Sequence, residues 1–295
     1  MKIKISIYQR IFDVINIIFM LFMIVIMFYP IYHVIMASFS DNSLLMGHTG
    51  LLLKPLGFSF NAYKLMLNNP MIFTGYRNTI LIVVSGVILN LLFTILGAYV
   101  LSRKNLYFRR LLMMLITFTM FFSGGLIPTY LLVSKTLNLN DSYLAILLPS
   151  LINTYNLIIM RTSFETIPAS LEESARLDGA SEWTILFRII LPLSTSVIAV
   201  MILYYAVGHW NAWFNANLYL KTREKFPLQL ILREILISND TTSMTGGGSD
   251  ASDQMAVGET VQDAVVVTAT LPLLIVYPFL QKYFVKGVMI GAVKG

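Results

Sequence analysis

Four stretches of this chain, 78–102, 111–134, 142–160 and 193–213, contain no Asp, Glu, Lys or Arg. Each is close to the ~20 apolar residues a helix needs to cross a bilayer. Two more apolar runs, roughly 11–37 and 264–284, are of the same length. In lipid no water satisfies backbone N–H and C=O groups, so such runs close their hydrogen bonds internally as helices rather than open strands. Composition agrees: 57% of the 295 residues are hydrophobic and 12% are charged, against about 25% charged in soluble domains. The sequence therefore predicts an all-α polytopic membrane protein, a single transmembrane domain over 1–295 with six transmembrane helices near 11–37, 78–101, 111–134, 142–160, 193–213 and 264–284.

The first run follows Lys2, Lys4 and Arg10. It exceeds the ~7–15 residues of a signal-peptide core, and no clear small-x-small cleavage site follows it, so it reads as a retained span. The net charge of +6 would point to nucleic acid in a soluble chain. Here the cations flank the spans, which is an orientation signal. Arg103, Lys104, Arg109, Arg110, Arg161, Arg176 and Arg188 fall on the side of the N-terminus. Lys54, Lys64, Arg77, Lys135, Arg233 and the cluster Lys221–Lys225 fall opposite. The bias places both termini in the cytoplasm, with Lys221–Lys225 dissenting from a long outer loop.

Several chemistries are absent. There is no cysteine, hence no disulfide framework or thiolate nucleophile. His33, His48 and His209 have no metal-ligand spacing. No Gly-rich phosphate loop ending in Gly-Lys-Ser/Thr is found, so the chain has no visible means of binding ATP. Glu172 and Glu173 are adjacent and point to different sides of a helix, so they cannot act as paired catalytic carboxylates. No catalytic, cofactor-binding or metal-binding residue is expected. Spans two to six carry no acidic residue at their centres, which argues against a self-sufficient proton- or sodium-coupled carrier.

Between the fourth and fifth runs lies a polar, helix-prone loop, 162–192. Pro168 fits a first helical turn, and Glu172 and Glu173 suit the N-terminal half of a helix dipole. Gly179 suits the left-handed residue that ends a helix, and Ser181 can cap a second one. There Trp183, Leu186, Phe187 and Ile190 recur at i, i+3, i+4, i+7 as an apolar stripe. By these features alone the loop is either a plain connector or a lever between a soluble partner and the membrane. Of the outer segments, 38–77 reads as a loop with short helical pieces. In the long outer loop 214–263, the apolar stripe of Leu228, Leu230, Ile231, Ile235 and Leu236 predicts a helix near 228–238. The polar Asn239–Asp253 reads as a flexible loop or as a surface for an external partner.

The same loop resembles the signature loop of ABC importer permeases: Glu173, Ala175, Gly179, Ile189, Leu191 and Pro192 fall at matching positions, with Ser174 replacing a usual Ala. The likeness is strongest to the smaller permease of the carbohydrate-uptake, maltose-permease-like group. It extends to Asn78-Thr79, to Ala98–Arg103 and to the tail Lys286–Gly295. Within that group, Gly208–Trp213, Phe226–Arg233 and Tyr277–Tyr283 resemble the complex-oligosaccharide branch. The resemblance implies the type I ABC importer permease fold, with a cytoplasmic coupling helix between helices four and five. It implies that Glu173, Ala175, Asp178, Gly179 and Ala180 couple to an ATPase, and that Lys294 and Gly295 reach the same interface, although a solvated tail is the alternative for the last two. The implied partners are a second homologous permease, homodimeric ATP-binding subunits carrying ATP and Mg, an extracytoplasmic solute-binding protein, an oligosaccharide and the lipid bilayer of a bacterial cytoplasmic membrane. A permease for amino acids or another small solute is the alternative within this class.

Sugars are held by aromatic faces and by amide or hydroxyl groups. Candidates for the substrate pathway are Asn153, Tyr155 and Asn156 in span four, and Tyr204, Tyr205, Trp210 and Asn211 in span five. The tyrosines also suit interhelix packing, Trp210 an interfacial aromatic belt, and the asparagines helix–helix hydrogen bonds.

Overall fold

The computed structural model describes residues 7–238 and 260–278. Its described residues are mostly helical, without strands. Three helices are long and apolar enough to cross a membrane alone: α1 (Ile7–Ser38), α4 (Pro70–Ser102) and α14 (Thr260–Pro278). Three further runs form bent helix pairs: α5 (Arg109–Phe121) with α6 (Leu126–Thr136) at 105°, α7 (Leu144–Ser150) with α8 (Thr154–Glu165) at 51°, and α10 (Glu182–Leu193) with α11 (Thr195–Trp210) at 84°. Shorter helices are α2 (Asn42–Met46), α3 (Asn61–Asn68), α9 (Ala169–Leu177), α12 (Phe214–Tyr219) and α13 (Leu228–Ser238).

The chain divides into two compact units. One comprises residues 1–70 and 234–270, the other 71–233 and 271–295. In the first unit the C-terminal end of α1 is laced to the loop after it. Leu52 N–H donates to the Tyr29 hydroxyl at 3.0 Å, the Tyr32 hydroxyl donates to Leu53 O at 2.8 Å, and Ser38 meets Tyr63 at 2.9 Å. Phe39 stacks on Phe58 and on Tyr63. The expected short helical pieces in 38–77 are α2 and α3.

In the second unit, α4 is the central rod. It begins at Pro70, well ahead of the charge-free run, because a charge-free run marks what lipid tolerates, whereas a helix continues until its backbone is interrupted. Asn78, Ile82, Gly86, Asn90, Thr94, Ala98 and Ser102 are all buried and follow one another at intervals of four. This is an i, i+4 ridge. Its small and polar members let neighbouring backbones approach closely, as suits helix packing in membranes. Below it a core gathers Tyr99, Met160, Phe164, Ile185, Leu186, Ile190 and Met201.

The breaks have local causes. Phe122–Gly125 separates α5 from α6, and Gly125 takes φ 84°, a left-handed conformation that suits glycine. Pro192 removes a backbone donor shortly before α11, and the preceding turn widens so that Leu191 N–H donates to Leu186 O. The expected apolar stripe of α10 divides into two pairs. Leu186 and Ile190 are buried, but Trp183 and Phe187 are 61% and 54% exposed and stack on each other with ring centres 6.1 Å apart. One pair of the expected stripe packs inward and the other lies at the surface. The segment Asn239–Asp253, and Lys286–Gly295 with Lys294 and Gly295, lie outside the described residues.

Candidate functional site

Polar groups join the second unit at three levels along α4. At one end Asn78 Nδ2 donates to Glu224 O at 2.7 Å and Phe226 O at 3.0 Å, and Leu228 N–H donates to Thr79 Oγ1 at 2.8 Å. Beside this, Asp141, held at φ 58°, accepts from the N–H groups of Lys221 and Thr222, from the Thr222 hydroxyl and from Lys225 Nζ. The Lys225 ammonium and these hydrogen bonds hold the Asp141 carboxyl well below the usual carboxylate range. The turn that dissented from the charge rule is thus pinned by an acid far earlier in the chain.

At mid-length, Asn90 Nδ2 donates to Ser150 O at 2.6 Å and Leu151 O at 2.7 Å. These are carbonyls at the break between α7 and α8. Asn90 Oδ1 lies 2.6 Å from His209 Nε2. Because both amide hydrogens point to carbonyls, Oδ1 accepts, and the His209 hydrogen sits on Nε2. Gly86 leaves room for that ring: a Cβ there would lie 2.4 Å from His209 Nε2. One turn further, Thr94 meets the Tyr205 hydroxyl at 2.7 Å. Sequence reasoning did not single out Asn90 or Thr94. The signal was their place, with Gly86, at intervals of four inside an uncharged span.

At the other end, Arg103 forms an ion pair with Glu172, donates to Tyr99 O and Ser102 Oγ, and its guanidinium lies 4.2 Å from the Tyr99 ring centre. The Tyr99 hydroxyl donates to Glu182 Oε2 at 2.5 Å, and Arg176 Nε donates to Glu182 Oε1 at 2.9 Å. Arg176, then Tyr99, hold the Glu182 carboxyl below its ordinary pKa. Glu165 pairs with both Arg109 and Arg161. A groove of about 910 Å³ runs alongside, walled by Tyr99, Arg103, Leu106, Glu172, Glu173 and Trp183.

Helix α9 lies across this end. Pro168 precedes the helix rather than occupying its first turn, since α9 begins at Ala169. Its C-terminus closes as a Schellman turn: Gly179 N–H donates to Arg176 O at 3.0 Å and Ala180 N–H to Ala175 O at 2.9 Å, with Gly179 at φ 80°. Ser181 Oγ then accepts from Thr184 N–H at 3.3 Å and starts α10. Glu172 is 9% exposed and turned inward. Ala175 and Ala180 pack against the chain's own core. Glu173 and Asp178 are exposed, and Leu177 is 89% exposed. Glu173 and Leu177 stand one helical turn apart on one face.

The pathway candidates separate into two sets. Asn156, Tyr205 and Trp210 are buried. Tyr155, Asn153, Tyr204 and Asn211 are exposed. Asn153 also caps α8, accepting from Asn156 N–H at 3.1 Å. Trp213 lies under Arg233, with 4.1 Å from guanidinium to ring centre.

This arrangement of largely apolar, broken helices around one rod, with a polar helix tied to its end, is matched by known proteins. Residues 91–290 match the family described as binding-protein-dependent transport system inner membrane component. The polygalacturonan/rhamnogalacturonan transport system permease protein YtcP of Bacillus subtilis is 43% identical, covering 97% of this chain and 99% of its own length. Protein LplC of the same organism is also 43% identical, over 97% of this chain and 96% of its own length. The crystal structure of a bacterial ABC transporter involved in the import of the acidic polysaccharide alginate contains a chain of 34% identity and TM-score 0.85, with 95% of this chain and 98% of that one covered. The chain belongs to the binding-protein-dependent transport permease family. It is a multi-pass cell-membrane protein and a permease subunit of an ABC importer.

Proposed function

We propose that this permease forms half of the pathway of an ATP-driven importer for oligosaccharides, and specifically for acidic, uronate-bearing glycans. The relatives support the substrate class: polygalacturonan, rhamnogalacturonan and alginate are named for two similar transporters, and arabinooligosaccharides for another. The reading takes each bent pair as one span, which gives six, and places both termini in the cytoplasm. A second homologous permease completes the path. A solute-binding protein delivers the glycan, and a pair of separate ATPase subunits binds ATP and Mg and carries out the hydrolysis.

The observation that carries the coupling role is the division of α9 into two faces. Its inner face is tied by Glu172 to Arg103, at the end of α4, and by Arg176 to Glu182, at the start of α10. Its outer face presents Glu173 and Leu177 to solvent. An exposed leucine beside an exposed carboxylate suits a partner cleft with an apolar pocket and a basic rim. Glu173 is the polar anchor, Leu177 the apolar one, and Asp178 lies at the rim. Gly179 shapes the turn, while Ala175 and Ala180 let α9 sit close to the spans it moves. Lys294 and Gly295 add a tail contact to the same ATPase. ATP binding shifts the equilibrium because the ATPase dimer has different affinity for ATP in its two states.

The test is ATP hydrolysis by the reconstituted complex, with and without binding protein loaded with oligogalacturonate, for the native chain and for Glu173→Ala and Leu177→Ala. Loaded binding protein stimulates the native complex. Both variants lose stimulation or ATPase affinity, Leu177→Ala by the ~1–2 kcal/mol of a moderate interface anchor. Variants that assemble and respond like the native chain would show that α9 is only a connector.

A further inference from the structure

Two segments between spans differ sharply in charge. Residues 214–238 carry six charged side chains, whereas the one charge between Asp41 and Lys64 is Lys54. Soluble domains carry about one in four, so the second segment is too apolar to stand wholly in water. It does not stand clear of its span. After α2 the chain turns back along α1, where Leu52 N–H donates to the Tyr29 hydroxyl and the Tyr32 hydroxyl donates to Leu53 O. Then Leu56 N–H donates to Ser40 Oγ at 3.1 Å and Leu56 O accepts from Asp41 N–H at 2.7 Å. Residues 52–56 thus climb from the level of Tyr29 to the end of α1, nine residues or about 14 Å along the helix axis.

Helix α1 sets the depth of this loop. Asp13 is its last charged residue, and a carboxylate stays at or outside the hydrocarbon boundary. Tyr29 and Tyr32 follow Asp13 by 16 and 19 positions, about 24 and 28 Å of helix against a hydrocarbon core of about 30 Å. Tilting the helix only brings them deeper. Both tyrosines therefore stand at the far boundary, where such rings collect, and they hold the loop there. Leu52 is buried, while Leu51 and Leu53 are 69% and 68% exposed, as an extended chain with one covered face requires. At the same level Phe28 and Ile31 of α1 are each 56% exposed, so the two leucines continue the apolar surface of the span. Lys54 beside them is exposed, and its stem can lie along that surface with the ammonium in the headgroups. We propose that residues 50–54 form an interfacial foot, with Leu51 and Leu53 entering the acyl chains of the leaflet that receives the end of α1. The foot rests on α1 as a membrane span and not on the importer reading.

The chain has no cysteine, so single thiols report directly. The experiment places an environment-sensitive fluorophore on L51C, L53C and K221C, each in an ATP-hydrolysing complex in proteoliposomes whose other subunits lack reactive cysteine. Lys221 is exposed in the charged segment and serves as the water reference. Both leucines are exposed, so their replacement leaves the packing intact. Lipid carrying a nitroxide just below its headgroup quenches the labels at 51 and 53, and soluble iodide quenches them about ten-fold less than the label at 221, as expected for side chains sunk into the headgroup and acyl boundary. Iodide quenching equal to that at 221 overturns the foot, because the loop then stands in water. Labels shielded from both iodide and the lipid nitroxide overturn it in favour of a protein neighbour such as the second permease. Shielding from iodide that appears only when loaded binding protein is added overturns it in favour of a docking surface for that protein. In all three cases the complex still hydrolyses ATP, so the importer reading stands while the foot falls.

Discussion

Asn90 is the residue whose loss should be felt most widely. Asn90→Leu removes one acceptor and two donors at once, stranding His209 Nε2 and the carbonyls of Ser150 and Leu151. Each buried polar group left without a partner costs about 1–3 kcal/mol. Thermal unfolding in detergent should show a clear drop in Tm, and an unchanged Tm would mean that water replaces the amide. Gly86→Ala should destabilise by a different route, overpacking against the His209 ring at about 1–3 kcal/mol. Here His209→Ala in the same chain should restore part of the loss, a signature that a purely local helix effect would not give. Gly179→Ala meets no side chain. Its cost is the left-handed backbone alone, about 1–2 kcal/mol, read as reduced stability with the partner surface intact. Among these residues only Gly179 was legible in advance, because a turn glycine after a polar helix has a local signature. Asn90 has none beyond its spacing, since its three partners lie 60, 61 and 119 positions away.

Two elements depend on charge. Helix α9 is held through Arg103–Glu172, with side chains 17% and 11% exposed. Removing one partner of a largely buried pair leaves the other charge uncompensated, a cost of about 3–5 kcal/mol at full burial and less at this exposure. Arg103→Gln and Glu172→Gln should each weaken stimulated ATP hydrolysis, and the double variant should lose less than the sum of the two. Additive losses would show that the pair does not couple α9 to α4. The turn at Lys221–Lys225 depends on Asp141, whose folded pKa lies below the ordinary 3.8. A depressed carboxyl stabilises the fold above its unfolded pKa and loses that contribution as pH falls below it. Protection of the amides in 219–226, measured relative to their intrinsic exchange rates, should therefore hold from neutral pH down to about 4 and fall below it. Asp141→Asn should exchange faster throughout, and equal rates in the two proteins at neutral pH would remove Asp141 as the pin. Residues 141 and 221 lie far apart in sequence, so only the fold brings the pin to the turn.

Across the whole molecule, the charge pattern predicts that reporter fusions after Lys104 and Glu182 stay inside while those after Asp141 and Lys221 emerge outside. A reversed pattern would sink the orientation. Sequence alone settled that this chain lives in a membrane as helices, because runs without charge leave the backbone no other solvent and no other way to close its hydrogen bonds. It also marked the α9 turn, because caps and turn glycines act over a few residues. Tertiary structure decided the rest: where the three bent helix pairs break, which face of the evenly apolar α4 is buried, and that Glu172 faces in while Glu173 faces out. A span that is apolar all round carries no hydropathy difference between its faces, so the choice falls to small residues and hydrogen bonds whose partners only the fold brings near.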